Sequence, residues 1–147
     1  MSKTKREKII IGRREIANLP QFGLMHVAVK VDSGAYTSSI HVSSCAEIEL
    51  EGATLLAVVF LDANHPSFDN ETHYFSEYRM KKVRSSTGQE QMRYFIYCTL
   101  DLLGQQIKTE FSLTERKGMR FPILLGRKLL NNRFIIDTSL KNTYKTT

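Results

Sequence analysis

Tryptophan is absent, cysteine occurs only at Cys45 and Cys98, and proline occurs three times. Two thiols are too few for a disulfide framework or a four-thiolate zinc site, so both read as free and buried. The longest apolar run, Leu55 to Leu61, is far shorter than the ~20 residues a membrane helix needs. Met1 to Lys8 is basic and polar with no apolar segment behind it, so a cytoplasmic protein that does not enter the membrane is expected. No Gly-rich loop ends in Lys-Ser/Thr, and no His-Glu-x-x-His occurs. The spacing of His26, His41, His65 and His73 suggests no ligand cluster, so neither a metal nor another cofactor is expected. Internal repeats and low-complexity segments are also missing.

The 147 residues suit one domain large enough to bury a core without staples. Hydrophobic residues make up 41% and charged residues 24%, and eight Phe with six Tyr supply the large buried surfaces. Disorder along the whole chain is excluded by that balance. Lys and Arg outnumber Asp and Glu by 21 to 15, a net charge of +6 that favours an acidic partner. Nucleic acid is the weaker candidate, because the chain shows neither an aromatic-basic RNA signature nor a recognition-helix pattern.

Period-two alternation marks Val27, Val29 and Val31 as one face of a strand. Further strands are expected at Ile9–Ile11, Glu47–Leu50, Thr54–Asp62, Tyr74–Val83, Tyr94–Leu103, Ile107–Leu113 and Phe134–Ile136, punctuated by Gly52, Gly88, Gly104 and Gly118. A short helix is expected around Arg127 to Asn132, and no other window sustains helical spacing over three turns. Ala63 to Asn70 reads as an irregular insertion. The expected class is mainly β, a barrel or sandwich, with a basic N-terminal tail over 1–8, one domain over 9–141 and a C-terminal tail over 142–147.

Two segments carry candidate chemistry. In Val31-Asp32-Ser33-Gly34-Ala35 an acid stands where an apolar strand ends and a tight turn begins, and a nearby amide or hydroxyl can fix its carboxylate. Those three residue types also make ordinary turns. In Phe121-Pro122-Ile123-Leu124-Leu125-Gly126-Arg127 an apolar strand runs through glycine into the short helix. Together the two resemble the retropepsin class of aspartic peptidases. More narrowly, Gly12-Arg13-Arg14-Glu15, Lys30 to Ala35, Thr37-Ser38-Ser39-Ile40-His41, Val83 to Gly88 and Leu124 to Arg127, in this order, resemble a bacterial retropepsin-like family labelled ATP-dependent zinc protease and related to the RimB-type proteins.

The resemblance implies a retropepsin-like closed barrel with one short C-terminal helix. It also implies an aspartic peptidase that trims acidic, glutamate-rich tails and is associated with ATP-grasp ligases. Such a peptidase needs two carboxylates on one water, one ionised and one protonated. This chain has a single Asp-Ser-Gly turn; Asp137-Thr138-Ser139 lacks the glycine and reads as a strand-ending turn. A homodimer that brings together two copies of Asp32 is therefore expected. The resemblance assigns catalysis to Asp32, Ser33 and Gly34. It assigns substrate binding to Ala35, Tyr36, Arg84, Ser85, Ser86 and Arg93, and support of the turn to Gly126 and Arg127. Ser86-Thr87-Gly88-Gln89 would tip a flap crowded by Arg79, Lys81, Lys82, Arg84 and Arg93; solubilising an exposed hairpin is the competing account of those charges. Tyr36 departs from the family, whose members commonly carry Arg there, and so leaves substrate specificity open. A non-catalytic module that holds an acidic peptide or a ligase partner is the alternative function.

Overall fold

The structure, a computed structural model, describes residues 7–84, 87–115 and 120–143. Its elements run β1 (Ile9–Ile11), β2 (Arg14–Leu19), a 3-10 turn (Pro20–Phe22), β3 (Leu24–Val31), β4 (Ser38–Leu50), β5 (Ala53–Phe60), β6 (Thr72–Phe75), β7 (Arg79–Arg84), β8 (Glu90–Leu102), β9 (Gln105–Thr114), β10 (Ile123–Leu125), α1 (Arg127–Leu130) and β11 (Phe134–Ile136). The fold is mainly β with one short helix among the described residues. That helix is not long and apolar enough to cross a membrane.

Six strands are joined by successive pairings: β10 to β3, β3 to β2, β2 to β8, β8 to β9, β9 to β4, and β4 back to β10. The far half of β4 leaves this ring and pairs with β5, which pairs with β6, while β7 pairs with the outer half of β8. Two tight hairpins set the register. At Glu51-Gly52 and at Leu103-Gly104 both central residues have positive φ, the backbone twist that matches two flanking strands. The interior is apolar: Val29, Ile40, Ile96, Leu100, Leu102, Phe111, Ile123 and Leu125 are fully buried. Each such side chain contributes about 1.5–3 kcal/mol relative to exposure.

Several elements differ from the sequence pattern. The single strand expected over Tyr74–Val83 is two, separated at Ser76–Tyr78 and paired with different neighbours. Strand β2 is missing from the sequence pattern because only two of its inward positions, Ala17 and Leu19, are apolar, and the first is the buried Glu15. Strand β4 begins nine residues before the expected Glu47, since Ser38, Ser39 and His41 are buried polar residues that periodicity does not score as core. The helix stops two residues short of Asn132, which takes a φ of 68° in the following turn.

The expected C-terminal tail begins with two residues that are tied to the domain. Asn142 N–H donates to the Arg14 carbonyl, and Thr143 donates from N–H and Oγ, each at 2.8 Å, to the Glu15 carboxylate. Glu15 also accepts from the Gly12 N–H at 2.8 Å, so one buried carboxylate joins the start of β2 to the chain's far end.

Candidate active site

Asp32 follows β3, whose last residue, Val31, lies beside Leu125 in parallel register. Its N–H continues that pairing by donating to the Leu125 carbonyl at 2.9 Å. The Gly34 N–H donates to Asp32 Oδ1 at 2.9 Å, and the Ala35 N–H donates to the Asp32 carbonyl at 3.2 Å. The carboxylate is thus held by its own turn, half-buried, with Ser33 and Gly34 exposed around it. A Cβ at Gly34 would approach Asp32 Oδ1 to 3.2 Å, tighter than ordinary contact, so a small residue suits this position.

A second turn locks onto the first. Gly126 N–H donates to Ser38 Oγ at 3.0 Å, Arg127 N–H to the Ala35 carbonyl at 2.8 Å, and Lys128 N–H to the Tyr36 carbonyl at 2.9 Å. Arg127 Nη1 donates to the Ser33 carbonyl at 2.9 Å, and its guanidinium lies 5.8 Å from the centre of the exposed Tyr36 ring. Tyr36 therefore flanks the cation that braces the turn. Every residue from Asp32 to Tyr36 makes a contact that orders the turn.

The basic hairpin is paired more than its sequence suggests. Arg79 does not merely solubilise an exposed hairpin: Nη2 and Nε lie 3.0 and 3.1 Å from Glu110 Oε2, and Cζ sits 5.0 Å from the Phe95 ring centre. Arg84 lies opposite Glu90, 4.0 Å from its carboxylate, with both side chains exposed. Arg93 pairs in register with Lys81 and lines a concavity with Cys45 and Glu115. Among the described residues, neither Arg84 nor Arg93 forms an ion pair or hydrogen bond with the Asp32 turn. Ser85 and Ser86 lie outside the described residues.

Periodicity did not reveal two polar networks. Glu110 is buried between Arg79 and Lys128, whose Nζ lies 3.1 Å from Oε1. Burial alone would raise its carboxyl, but the Lys128 hydrogen bond and the two cations outweigh it and hold the group below the usual range. The histidine spacing predicted no ligand cluster and gave no sign that His41 and His65 flank Asp62. His41 Nε2 lies 2.7 Å from Oδ2 and His65 Nε2 lies 4.0 Å from Oδ1. The Asn64 N–H chiefly holds Asp62 below the ordinary carboxylate range, with the two imidazoles adding to it.

Among the described residues, Asp69, Glu71 and His73 bring ligand atoms within 4.8 Å of one another. Both acids are exposed, and His73 packs against the rings of Phe22 and Phe60. The thiols of Cys45 and Cys98 are pushed up to about 11 and about 12 by burial. Both are protonated, poorly nucleophilic groups at neutral pH.

Residues 10–147 match the family described as RimB-like, retropepsin-like aspartic endopeptidase RimB. The chain belongs to the RimB-like family. Among curated relatives, a probable alpha-L-glutamate ligase of Shewanella pealeana is 31% identical over 137 residues, covering 90% of this chain and 29% of the relative. One from Desulfotalea psychrophila is 30% identical over 138 residues, covering 91% and 29%. The chain thus spans less than a third of the length of those relatives. A Legionella pneumophila protein of unknown function is similar in structure, with a TM-score of 0.73 and 25% identity over 93% of this chain and 98% of that one. For a RimB-like chain, the interlocked Asp32 and Gly126-Arg127 turns are the natural place to seek chemistry.

Proposed function

We propose that this RimB-like chain is an aspartic peptidase, active as a homodimer, that hydrolyses peptide bonds in acidic, glutamate-rich peptides or protein tails. The observation that carries the reading is the Asp32 carboxylate, fixed by the Gly34 amide on a turn that Arg127 braces from behind. Each chain brings one such acid. Asp137 is exposed and closes a different turn, accepting from Ser139 N–H at 2.9 Å and Oγ at 2.6 Å, and its carboxyl is lowered by those bonds. The second catalytic carboxylate is assigned to Asp32 of a second copy. The ring of six paired strands is read as a closed barrel that holds the turn rigidly.

In this mechanism one Asp32 is ionised and takes a proton from the shared water as it attacks the scissile carbonyl. The other is protonated and donates to the carbonyl oxygen. Collapse of the tetrahedral intermediate expels the amine, which takes up a proton from the dyad. The Gly34 N–H keeps the carboxylate aimed throughout. Arg84, Arg93, Tyr36, Ser85 and Ser86 are assigned to the substrate, the two arginines to its carboxylates. The enzyme is read as cytoplasmic, without a cofactor, working beside an ATP-grasp ligase that adds the residues it removes. Replacing Asp32 with Asn should abolish hydrolysis of a polyglutamate-tailed peptide, followed by mass analysis, and leave the folded assembly unchanged. A fully active Asn variant overturns the mechanism.

The match to part of proteins named probable alpha-L-glutamate ligases favours a second reading. In it the same barrel holds an acidic peptide, or the ligase itself, without cleaving a bond. Tight binding of the peptide with no turnover at any mildly acidic pH selects this reading.

A further inference from the structure

We propose that a pocket of about 170 Å³ beside α1 binds a glutamate carboxylate of an acidic peptide outside the Asp32 site. The proposal rests on the acidic-substrate reading and extends it to a second contact. On β9, Lys108 and Glu110 stand on one face; Tyr97 of β8 lies directly across from Glu110 and diagonal to Lys108. Helix α1 brings Lys128 over that face, and the turn after it returns Arg133 to the rim.

The charges do not balance. Glu110 is the pocket's single acid, and Lys128 at 3.1 Å and Arg79 at 3.0 Å already match it. Lys108 Nζ sits 5.4 Å from the centre of the Tyr97 ring, and Arg133 Nη1 donates to the Leu129 carbonyl at 3.2 Å. Among the described residues neither cation has a carboxylate within ion-pair distance. A concave site with surplus positive charge draws an anion. Its walls decide which. The half-exposed Tyr97 ring offers apolar surface beside the cations, which suits the methylenes of a glutamate side chain and gives a bare oxyanion nothing. Lys128 follows Arg127, and its N–H holds the Tyr36 carbonyl. A carboxylate captured here is therefore anchored one residue from the brace of the Asp32 turn.

The test uses the full chain carrying Asp32→Asn, so that binding is read without turnover. Tetraglutamate is titrated calorimetrically against this protein, against the same protein with Lys108→Gln and Arg133→Gln, and against one with Lys108→Arg and Arg133→Lys. Affinity should fall about tenfold in the Gln pair, the loss of about one charge-assisted hydrogen bond, and stay near the parent value in the conservative pair. Equal affinity in the Gln pair overturns the proposal. So does inorganic phosphate that saturates Lys108 and Arg133 and is not displaced by tetraglutamate, since that marks a site for free anions. Residual hydrolysis of tetraglutamate by Asp32→Asn, followed separately by mass analysis, counts against the peptidase mechanism and not against this pocket.

Discussion

Gly126 lies so close to Tyr36 that a Cβ on the glycine would stand 2.5 Å from the Tyr36 carbonyl oxygen and 2.7 Å from its carbon. The constraint is steric, since Gly126 has an extended backbone with φ of −96°. Both obstructing atoms are backbone and cannot rotate away. Gly126→Ala should destabilise the fold by about 1–3 kcal/mol, the usual cost of overpacking, and lower hydrolysis through displacement of the Asp32 turn. Denaturant unfolding checks the first effect; an unchanged midpoint contradicts it.

Arg127 should matter more to activity than to stability. Its exposed guanidinium makes one bond of 2.9 Å to the Ser33 carbonyl, worth about 0.5–1.5 kcal/mol net. Arg127→Ala should leave the melting temperature within a few degrees while cutting hydrolysis at least about tenfold, because a misplaced reacting group is costly. Equal losses of stability and activity would assign Arg127 a merely structural part.

Glu110 predicts an acid limb of stability. Its folded carboxyl lies below the ordinary value, so the unfolded chain binds a proton more readily than the folded one. The stabilisation is present above the unfolded value of about 4.3 and is lost as pH falls through the lower folded value. Glu110→Gln should cost about 1–2 kcal/mol at neutral pH, discounted because Arg79 and Lys128 are substantially exposed, and should flatten the acid limb. Urea unfolding at pH 7 and pH 3.5 measures both; an equal cost at the two pH values rejects the account.

Glu15 should anchor the end of the domain. Glu15→Ala removes the acceptor of three hydrogen bonds and strands the buried Gly12 amide, a loss of about 2–4 kcal/mol. Amide exchange at Thr143 should accelerate in the variant. Unaltered protection there would mean that other contacts hold the segment.

Much of the framework was legible because burial leaves a period of two in the sequence. Val27, Val29 and Val31, the β8–β9 pair and the apolar approach to Gly126 all follow it. Polar residues placed inward were not legible. Glu15, Ser38, His41 and Glu110 look like surface letters, and each is buried because a partner distant in sequence satisfies it. Arg79 shows the converse, a hairpin cation whose acid arrives from another strand.

Local order and composition by themselves determined a mainly β chain with an acid at a strand end and a Gly-Arg turn far downstream, and the resemblance of those motifs pointed to the RimB-like family that the match over residues 10–147 shows. Apolar periodicity and turn chemistry act between neighbours, so they survive in one dimension. Only the tertiary structure decided that Gly126 presses on Tyr36, that Arg127 reaches Ser33, and that three cations crowd one matched glutamate. The first two join residues some 90 positions apart and the third joins two strands and a helix, over distances of a few ångströms, and the chain must fold before any of them exists.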